Sequence, residues 1–307
     1  MTSVFIDGSA GTTGLRIADR LSARKDLTLI RLSEAERKEK EARREALNAA
    51  DIAFLCLPDD AAREAVTLAD NPRTVIIDTS TAHRVAPGWV YGLPELAGQR
   101  ERIAGAKRIA NPGCHATGFI VLAAPLVQAG LIPADAALSC FSLTGYSGGG
   151  KKMIAQYEDA GRDPLLAAPR MYGLSQAHKH LPEMTAMAGL SRSPVFCPVV
   201  APYYAGMEVV LSLNGLGLER EAVEAVYAAY YTTPMIRFRR DADEAGFLSA
   251  AAYAGRDDLE ITVQGQDGRL TATARFDNLG KGASGAAIQN MNLVLGLPEN
   301  TGLAVGA

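Results

Sequence analysis

The chain has 307 residues, of which 48% are hydrophobic and 21% charged, with a formal net charge of −3. A sequence this apolar and this close to neutral is not a disordered chain, and its mild acidity argues against a general binder of nucleic acid or phospholipid. Its length suits one large domain or two medium ones with ample core.

No run reaches the roughly 20 apolar residues of a membrane span; the longest, Phe119 to Val127, contains Pro125. The opening MTSVFIDGSAG lacks the basic head and apolar segment of a secretory signal. Four widely spaced cysteines without a Cys-x-x-Cys pair suggest neither a disulfide framework nor a zinc knuckle. The expectation is a cytoplasmic protein.

In chain order, the first third alternates strand and helix. Val4-Phe5-Ile6 is a short apolar run that enters a Gly-rich turn, and Leu15, Ala18 and Leu21 then recur at helical spacing. Leu27 to Leu32 reads as a strand, Glu34 to Ala50 as a charged helix, Ile52 to Leu57 as a buried strand, Asp59 to Ala69 as a helix and Thr74 to Ile77 as a strand. This repeat implies a doubly wound parallel sheet, a Rossmann-like α/β domain. After Asn111-Pro112 the pattern changes. A helix over Gly113 to Ala129 precedes strands at Ala137 to Leu143, Val195 to Val200, Val209 to Leu213, Leu259 to Gln264 and Leu270 to Phe276, with a helix at Glu219 to Tyr231 and a last one over Gly282 to Leu295. These imply a second, α+β domain with a mixed or antiparallel sheet. The expected division is 1–112 plus 283–307 for the first domain and 113–282 for the second.

Gly8-Ser9-Ala10-Gly11-Thr12-Thr13-Gly14 lies between a strand and a helix. Glycines there let the backbone approach a pyrophosphate, and the helix N-terminus offers N–H groups and partial positive charge. Gly8, Ser9, Gly11, Thr12, Thr13 and Gly14 are therefore the expected dinucleotide contacts. At the end of the second strand, Arg31 and Ser33 stand where an NAD site carries an acid for the ribose 2′-OH; a cation and a hydroxyl there favour the 2′-phosphate of NADP.

Cys56, Cys140 and Cys197 lie within apolar strand segments and read as small buried hydrophobes. Cys114 differs. With Asn111 as N-cap and Pro112 at the first helical position, it falls in the first turn of a helix, where the dipole favours a thiolate. His178-Lys179-His180-Leu181-Pro182-Glu183 lacks the further ligands of a zinc set, and no metal is expected. The segment suits acid–base work by an imidazole near a carboxylate. The spacing does not choose between His178 and His180.

Several motifs occur together: the Gly-rich turn, Ser80-Thr81-Ala82-His83-Arg84, Tyr91-Gly92-Leu93-Pro94-Glu95-Leu96, Asn111-Pro112-Gly113-Cys114, Ser147-Gly148-Gly149-Gly150-Lys151, the His178–Met184 segment and Asp277-Asn278-Leu279-Gly280-Lys281-Gly282-Ala283-Ser284-Gly285. From first strand to last helix, the chain resembles the N-acetyl-gamma-glutamyl-phosphate reductase family, in particular its short form, of the semialdehyde dehydrogenase superfamily. The resemblance implies an oxidoreductase of arginine biosynthesis that reduces N-acetyl-glutamyl 5-phosphate with NADPH, releases phosphate, and works as a dimer or tetramer. It implies that Cys114 is the nucleophile forming a thioester, that His180 is the acid–base residue oriented by Glu183, and that Ser147, Gly148 and Asn278 approach the nicotinamide. Lys151, Lys152 and Arg84 are the expected cationic contacts for the anionic substrate.

Two departures bear on the acyl group. The family commonly has Tyr-Pro after the Cys, where this chain has His115-Ala116, and an Arg where this chain has Ala205. A related acyl-phosphate reductase with another substrate is the alternative reading; a non-catalytic dinucleotide-binding regulator is a third, opposed by the intact Cys114 and His180.

Overall fold

The computed structural model describes residues 1–306. It has two compact units, residues 1–112 with 283–303, and residues 113–282 with 304–306. The last residues differ from the division read in the sequence: 304–306 go with the second unit, because Asp257 donates its N–H to the Ala304 carbonyl (2.7 Å) and its carboxylate accepts the Ala304 N–H (2.9 Å).

The first unit contains β1 (Thr2–Asp7), α1 (Thr12–Ser22), β2 (Leu27–Ile30), α2 (Lys40–Ala49), β3 (Ile52–Leu55), α3 (Asp59–Leu68), β4 (Val75–Asp78), β5 (Val90–Tyr91), α4 (Gln99–Ala104) and β6 (Arg108–Ala110). Its six strands are all parallel, in the order β2-β1-β3-β4-β6-β5. β3 shows why the fold is doubly wound. Successive side chains of a strand point to opposite faces. Ile52 and Phe54 join Ile17 and Leu21 in one core, while Ala53 and Leu55 join Leu47, Ala65 and Leu68 in the other. A strand covered on both faces has to be apolar at every position.

The charged segment is not the single helix read from its composition. A short 3-10 turn (Glu36–Lys38) ends at Glu39, which is extended (φ −88°, ψ 123°), and α2 starts after it. The Ser33 N–H donates to the Glu36 carboxylate (2.7 Å) and the Ser33 hydroxyl accepts the Glu36 N–H, a reciprocal cap that closes this turn on itself.

The second unit contains α5 (Cys114–Gln128), β7 (Ser139–Gly145), α6 (Gly150–Glu158), β8 (Arg170–Met171), α7 (Leu181–Met187), β9 (Val195–Ala201), β10 (Met207–Ser212), α8 (Arg220–Tyr230), β11 (Ile236–Phe238), β12 (Leu259–Gln266) and β13 (Arg269–Phe276). Its sheet runs β11-β12-β13-β10-β7-β9-β8 and is mixed: β7 with β9 and β11 with β12 are parallel, the other pairs antiparallel. The chain then re-enters the first unit. There α9 (Gly285–Val294) adds Ala287, Ile288 and Met291 to the core around Phe54. The final helix read from Gly282 opens as a wide, π-type helical stretch (Gly280–Ser284) that runs into α9, and the Asp277 carboxylate takes the N–H groups of Leu279 (2.7 Å) and Gly280 (2.9 Å) at its start.

Helix α5 is buried from His115 to Leu126 and packs against β10, β13, α7 and α8. Pro125 inside it has no N–H to give the carbonyl four residues back, and that group cannot reach water. The Tyr231 hydroxyl donates to this Val121 carbonyl at 2.6 Å, and the Tyr227 hydroxyl donates to the Leu122 carbonyl at 2.7 Å. Tyr231→Phe should therefore destabilise the protein by about 1–3 kcal/mol, the cost of a buried carbonyl left without its donor. Urea denaturation reads this directly, and an unchanged midpoint would contradict the role given to the hydroxyl.

Candidate active site

The Gly-rich turn of the first unit is built for close approach. Gly8 has φ +84°, and a Cβ on it would run into the carbonyl of Cys56 at the end of the adjacent β3. Its own carbonyl accepts the Gly11 N–H at 2.9 Å, and Gly11 caps α1. The first turn of α1 carries no acid, and the buried Thr12 hydroxyl has no hydrogen-bond partner among the described residues. Ser9 and Thr13 are half-buried beside it. Asp7, the one carboxylate at this strand end, is neutralised by Arg43 (2.9 Å). A bare helix N-terminus with an unused hydroxyl and no net negative charge fits a diphosphate. β1 lies between β2 and β3, the switch point where such sheets bind nucleotides. Arg31 stands exposed just after β2. Ser33, expected beside it, is taken up by the cap with Glu36.

Arg84, expected as a substrate cation, is buried and spends its guanidinium on backbone carbonyls, with Nε to Asn111 at 3.0 Å and Nη2 to Thr79 at 3.2 Å. In the same motif the His83 ring bonds Asp78 at 2.6 Å and stacks on Trp89. These contacts brace the first unit.

In the second unit Cys114 is the first residue of α5, and the cap is Gly113, not Asn111. The helix starts two residues later than read because Asn111 still belongs to the sheet: its N–H bonds the Asp78 carbonyl (2.7 Å), and its side chain donates to Ala283 and accepts from Asn290. The later start places Cys114 closer to the positive end of the helix. The Gly113 N–H donates to the Glu183 carboxylate (3.2 Å), which ties the turn before the Cys to α7. The remaining thiols differ. Desolvation pushes Cys56 up to about 12, with partial relief from Thr79, and burial pushes Cys140 well up. Those two are shielded hydrophobes.

A cluster of rings lies around the start of α5. His178 and His180 are 4.7 Å apart between ring centroids, and each is 5.7 Å from His115, the residue after the Cys. His180 is buried and caps α7; its N–H donates to His178 Nδ1 at 3.2 Å. Phe196 closes the cluster against His115 and His178. The fold thus joins both candidate histidines to the residue that follows Cys114, through positions far apart in sequence. Among the described residues, no group of three or more His, Cys, Asp or Glu is placed to hold a metal ion.

The loop that follows β13 completes the surroundings of Cys114. A Cβ on Gly282 would lie 2.9 Å from the Cys114 Cβ, so only glycine fits without displacement. Asn278, in the same loop, donates to the Ser147 hydroxyl (3.0 Å) and accepts the Gly206 N–H (2.9 Å). A Cβ on Gly148 would lie 3.4 Å from the Asn278 amide nitrogen. Ser147, Gly148 and Asn278 are therefore one cluster, and Lys151 and Lys152 stand exposed on the first turn of α6 beyond it.

Sequence reasoning did not find Tyr172, Ser142 or the part played by His115. His115 Nδ1 bonds the Ser142 hydroxyl at 2.7 Å and Nε2 bonds the Tyr172 hydroxyl at 2.6 Å. Only His115 carried a sequence signal, as the residue after Cys114. Desolvation, with a smaller contribution from His178, lowers the His115 pKa to about 3, so it is neutral near neutral pH. The unfolded chain takes up this proton below about pH 6.5. Stability is therefore unaffected by this group above pH 6.5 and falls as pH drops from there toward 3, by up to about 1.4 kcal/mol per pH unit. His115→Gln should show a correspondingly shallower decline in urea denaturation between pH 7 and 5; parallel declines would contradict neutral burial.

Comparison with known proteins agrees with this arrangement. Residues 3–106 match the family model described as semialdehyde dehydrogenase, NAD binding domain, and residues 114–278 match semialdehyde dehydrogenase, dimerisation domain. The chain is 50% identical to an N-acetyl-gamma-glutamyl-phosphate reductase of Brucella anthropi, over 95% of this chain and 98% of that one. It is 48% identical to N-acetyl-gamma-glutamyl-phosphate reductase 2 of Pseudomonas putida, over 95% and 96%. In fold it is similar to aspartate semialdehyde dehydrogenase II of Vibrio cholerae complexed with ASA (TM-score 0.74, 17% identity, 96% and 98% covered). A second similar structure is the Candida albicans aspartate semialdehyde dehydrogenase with NADP (TM-score 0.67, 15% identity, 98% and 99% covered). With a Gly-rich turn in one unit and, in the other, a helix-start cysteine followed by a histidine that meets two more, the chain belongs to the semialdehyde dehydrogenase family, and within it to the N-acetyl-gamma-glutamyl-phosphate reductases.

Proposed function

We propose that this protein reduces N-acetyl-glutamyl 5-phosphate to N-acetyl-glutamate 5-semialdehyde with NADPH and releases phosphate, as a step of arginine biosynthesis. The observation that carries this reading is Cys114 at the first position of a buried helix, followed by His115, whose ring meets those of His178 and His180. Relatives at about half identity over nearly the whole chain supply the substrate.

The Cys114 thiolate attacks the acyl carbon, the bond to the phosphate oxygen breaks, and the acyl group remains as a thioester. N–H groups at the start of α5 are placed to receive the carbonyl oxygen as it gains charge. The reduced dinucleotide, when bound, supplies the hydride that reduces the thioester carbonyl. His180 gives a proton to that oxygen and takes it back as the carbon–sulfur bond breaks, which releases aldehyde and thiolate. Glu183 holds the turn that carries Cys114 and, from the first turn of α7, orients His180. Gly8, Ser9, Gly11, Thr12, Thr13 and Gly14 hold the diphosphate, Arg31 meets the 2′-phosphate, and Ser147, Gly148 and Asn278 receive the nicotinamide. Lys151 and Lys152 attract the anionic substrate.

The second unit, matched by a dimerisation domain, is where copies of the chain associate as a dimer or tetramer. Exposed Phe141 and Val195, on neighbouring strands of its sheet, support this. No helix among the described residues is long and apolar enough to cross a membrane, and a cytoplasmic site of action suits the pathway.

The test is the phosphate-dependent reverse reaction, with N-acetyl-glutamate semialdehyde, phosphate and NADP, followed as NADPH. Wild type should be active with this aldehyde and far weaker with aspartate semialdehyde. Cys114→Ser should lose at least about a thousandfold in kcat, and His180→Ala about a hundredfold or more. Arg31→Ala should raise the KM for NADP about tenfold and leave that for NAD nearly unchanged. Silence toward the N-acetylated aldehyde by protein that still binds NADP would overturn the substrate assignment.

A further inference from the structure

The second unit has a cleft that the proposed reaction does not use. It measures about 890 Å³ and lies where the end of α8, the edge strand β11 and the start of β12 come together. Tyr231 and Phe238 supply apolar surface to its walls, and Arg237, Arg239, Arg256 and Asp258 supply charge. None of these residues has a part in the chemistry at Cys114 or in holding the nucleotide. The volume falls in the range of pockets that take small organic ligands, and it is more than a single inorganic ion fills.

Three arginines line the cleft against one aspartate. The buried Glu260 accepts from Arg239 Nη1 at 3.2 Å, yet it also accepts from Nε and Nη2 of the buried Arg275, at 3.0 and 2.6 Å. With Glu260 counted, guanidiniums still outnumber carboxylates. The C-terminal end of α8 adds only partial negative charge, about half a unit. A concave surface with one sign of charge in excess raises the local concentration of the opposite ion. Arg256 is held ready for such an ion. Its Nε donates to one Asp258 carboxylate oxygen at 2.8 Å and its Nη2 to the other, and its Cζ lies over the Tyr253 ring, 4.3 Å from the centroid. Its Nη1 makes no hydrogen bond among the described residues. A guanidinium fixed in this way loses little freedom when it gains a further acceptor. Arg239 keeps 63% of its side chain exposed. The hydroxyls of Thr232 and Thr233, also in the lining, make no hydrogen bond among the described residues.

We propose that this cleft is a binding site for a small organic polyanion: two or more carboxylate or phosphate groups meet Arg239 and Arg256, and a short carbon frame lies against Phe238 and Tyr231. Planar guanidiniums pair with both kinds of anion through parallel N–H bonds, which a lysine ammonium cannot do. The site stands apart from the chemistry at Cys114, so it does not depend on the substrate assigned above.

The test is isothermal titration calorimetry of the intact protein, with saturating NADP present to fill the nucleotide turn. Citrate is the carboxylate probe and 2,3-bisphosphoglycerate the phosphate probe, and which of them binds more tightly tells the two chemistries apart. At least one should bind at one site per chain with a Kd below about 1 mM. Binding should weaken severalfold as salt is raised from about 50 to about 300 mM. Arg239→Gln and Arg256→Gln should each raise the Kd about tenfold. Arg256→Lys, which keeps the charge and loses the fork, should not restore it. A variant carrying both Lys151→Gln and Lys152→Gln should bind as the wild type does, which separates the cleft from the lysines of the proposed substrate site. Arg256→Gln leaves Asp258 buried without its partner; should that variant fail to fold, the exposed Arg239 decides the matter through Arg239→Gln. Binding of neither probe, a Kd unchanged in the arginine variants, or binding lost in the double lysine variant would each overturn the proposal.

Discussion

A helix buried on every side has to satisfy its polar groups without water, and α5 is such a helix. Twelve consecutive residues, His115 to Leu126, are buried, and Pro125 removes one donor from the ladder. The second unit meets the demand group by group. Tyr231 and Tyr227 supply the carbonyls of Val121 and Leu122. Thr117 bonds the Gly113 carbonyl through both its N–H and its hydroxyl. Glu183 accepts the Gly113 N–H. The position of the half-exposed Cys114 follows from these contacts, since the helix that bears it is fixed along its length.

The same burial explains how one thiol among four is singled out. Cys140 loses water and gains no compensating charge, so its ionised form is disfavoured. Cys114 lies at the positive end of a helix, where the dipole favours the ionised form. Water removal that silences one sulfur strengthens the dipole and hydrogen bonds at another. The nucleotide turn of the first unit uses a comparable device, with a helix start freed of acids, a spare threonine hydroxyl and an aspartate already neutralised by Arg43.

The legible parts of the sequence were those where local pattern and final environment coincide. β3 is apolar at every position because both faces of the sheet are covered, and the Gly-rich turn is marked by residues that no other side chain can replace at Gly8. Boundaries were lost where a side chain intervened: Ser33 and Glu36 cap each other and interrupt a helix made of good helix formers, and the amide of Asn111 serves the sheet where a helix cap was expected. Arg84 carries the charge that an anionic substrate needs, yet pattern alone does not reveal that two carbonyls already hold it. Tyr172 was invisible because it joins the site through a tertiary contact with His115, 57 positions away.

The central claim is that Cys114 carries the acyl group as a thioester. It is tested most directly by mixing the protein with N-acetyl-glutamate semialdehyde and NADP in the absence of phosphate, then measuring both NADPH and the intact mass. The aldehyde adds to the thiolate, hydride leaves to NADP, and with no phosphate to accept the acyl group the thioester should accumulate. The account predicts a burst of about one NADPH per chain, an N-acetyl-glutamyl adduct on the Cys114 peptide, and discharge of that adduct when phosphate is added. Turnover with phosphate but no burst without it, or an adduct on another residue, would contradict the account.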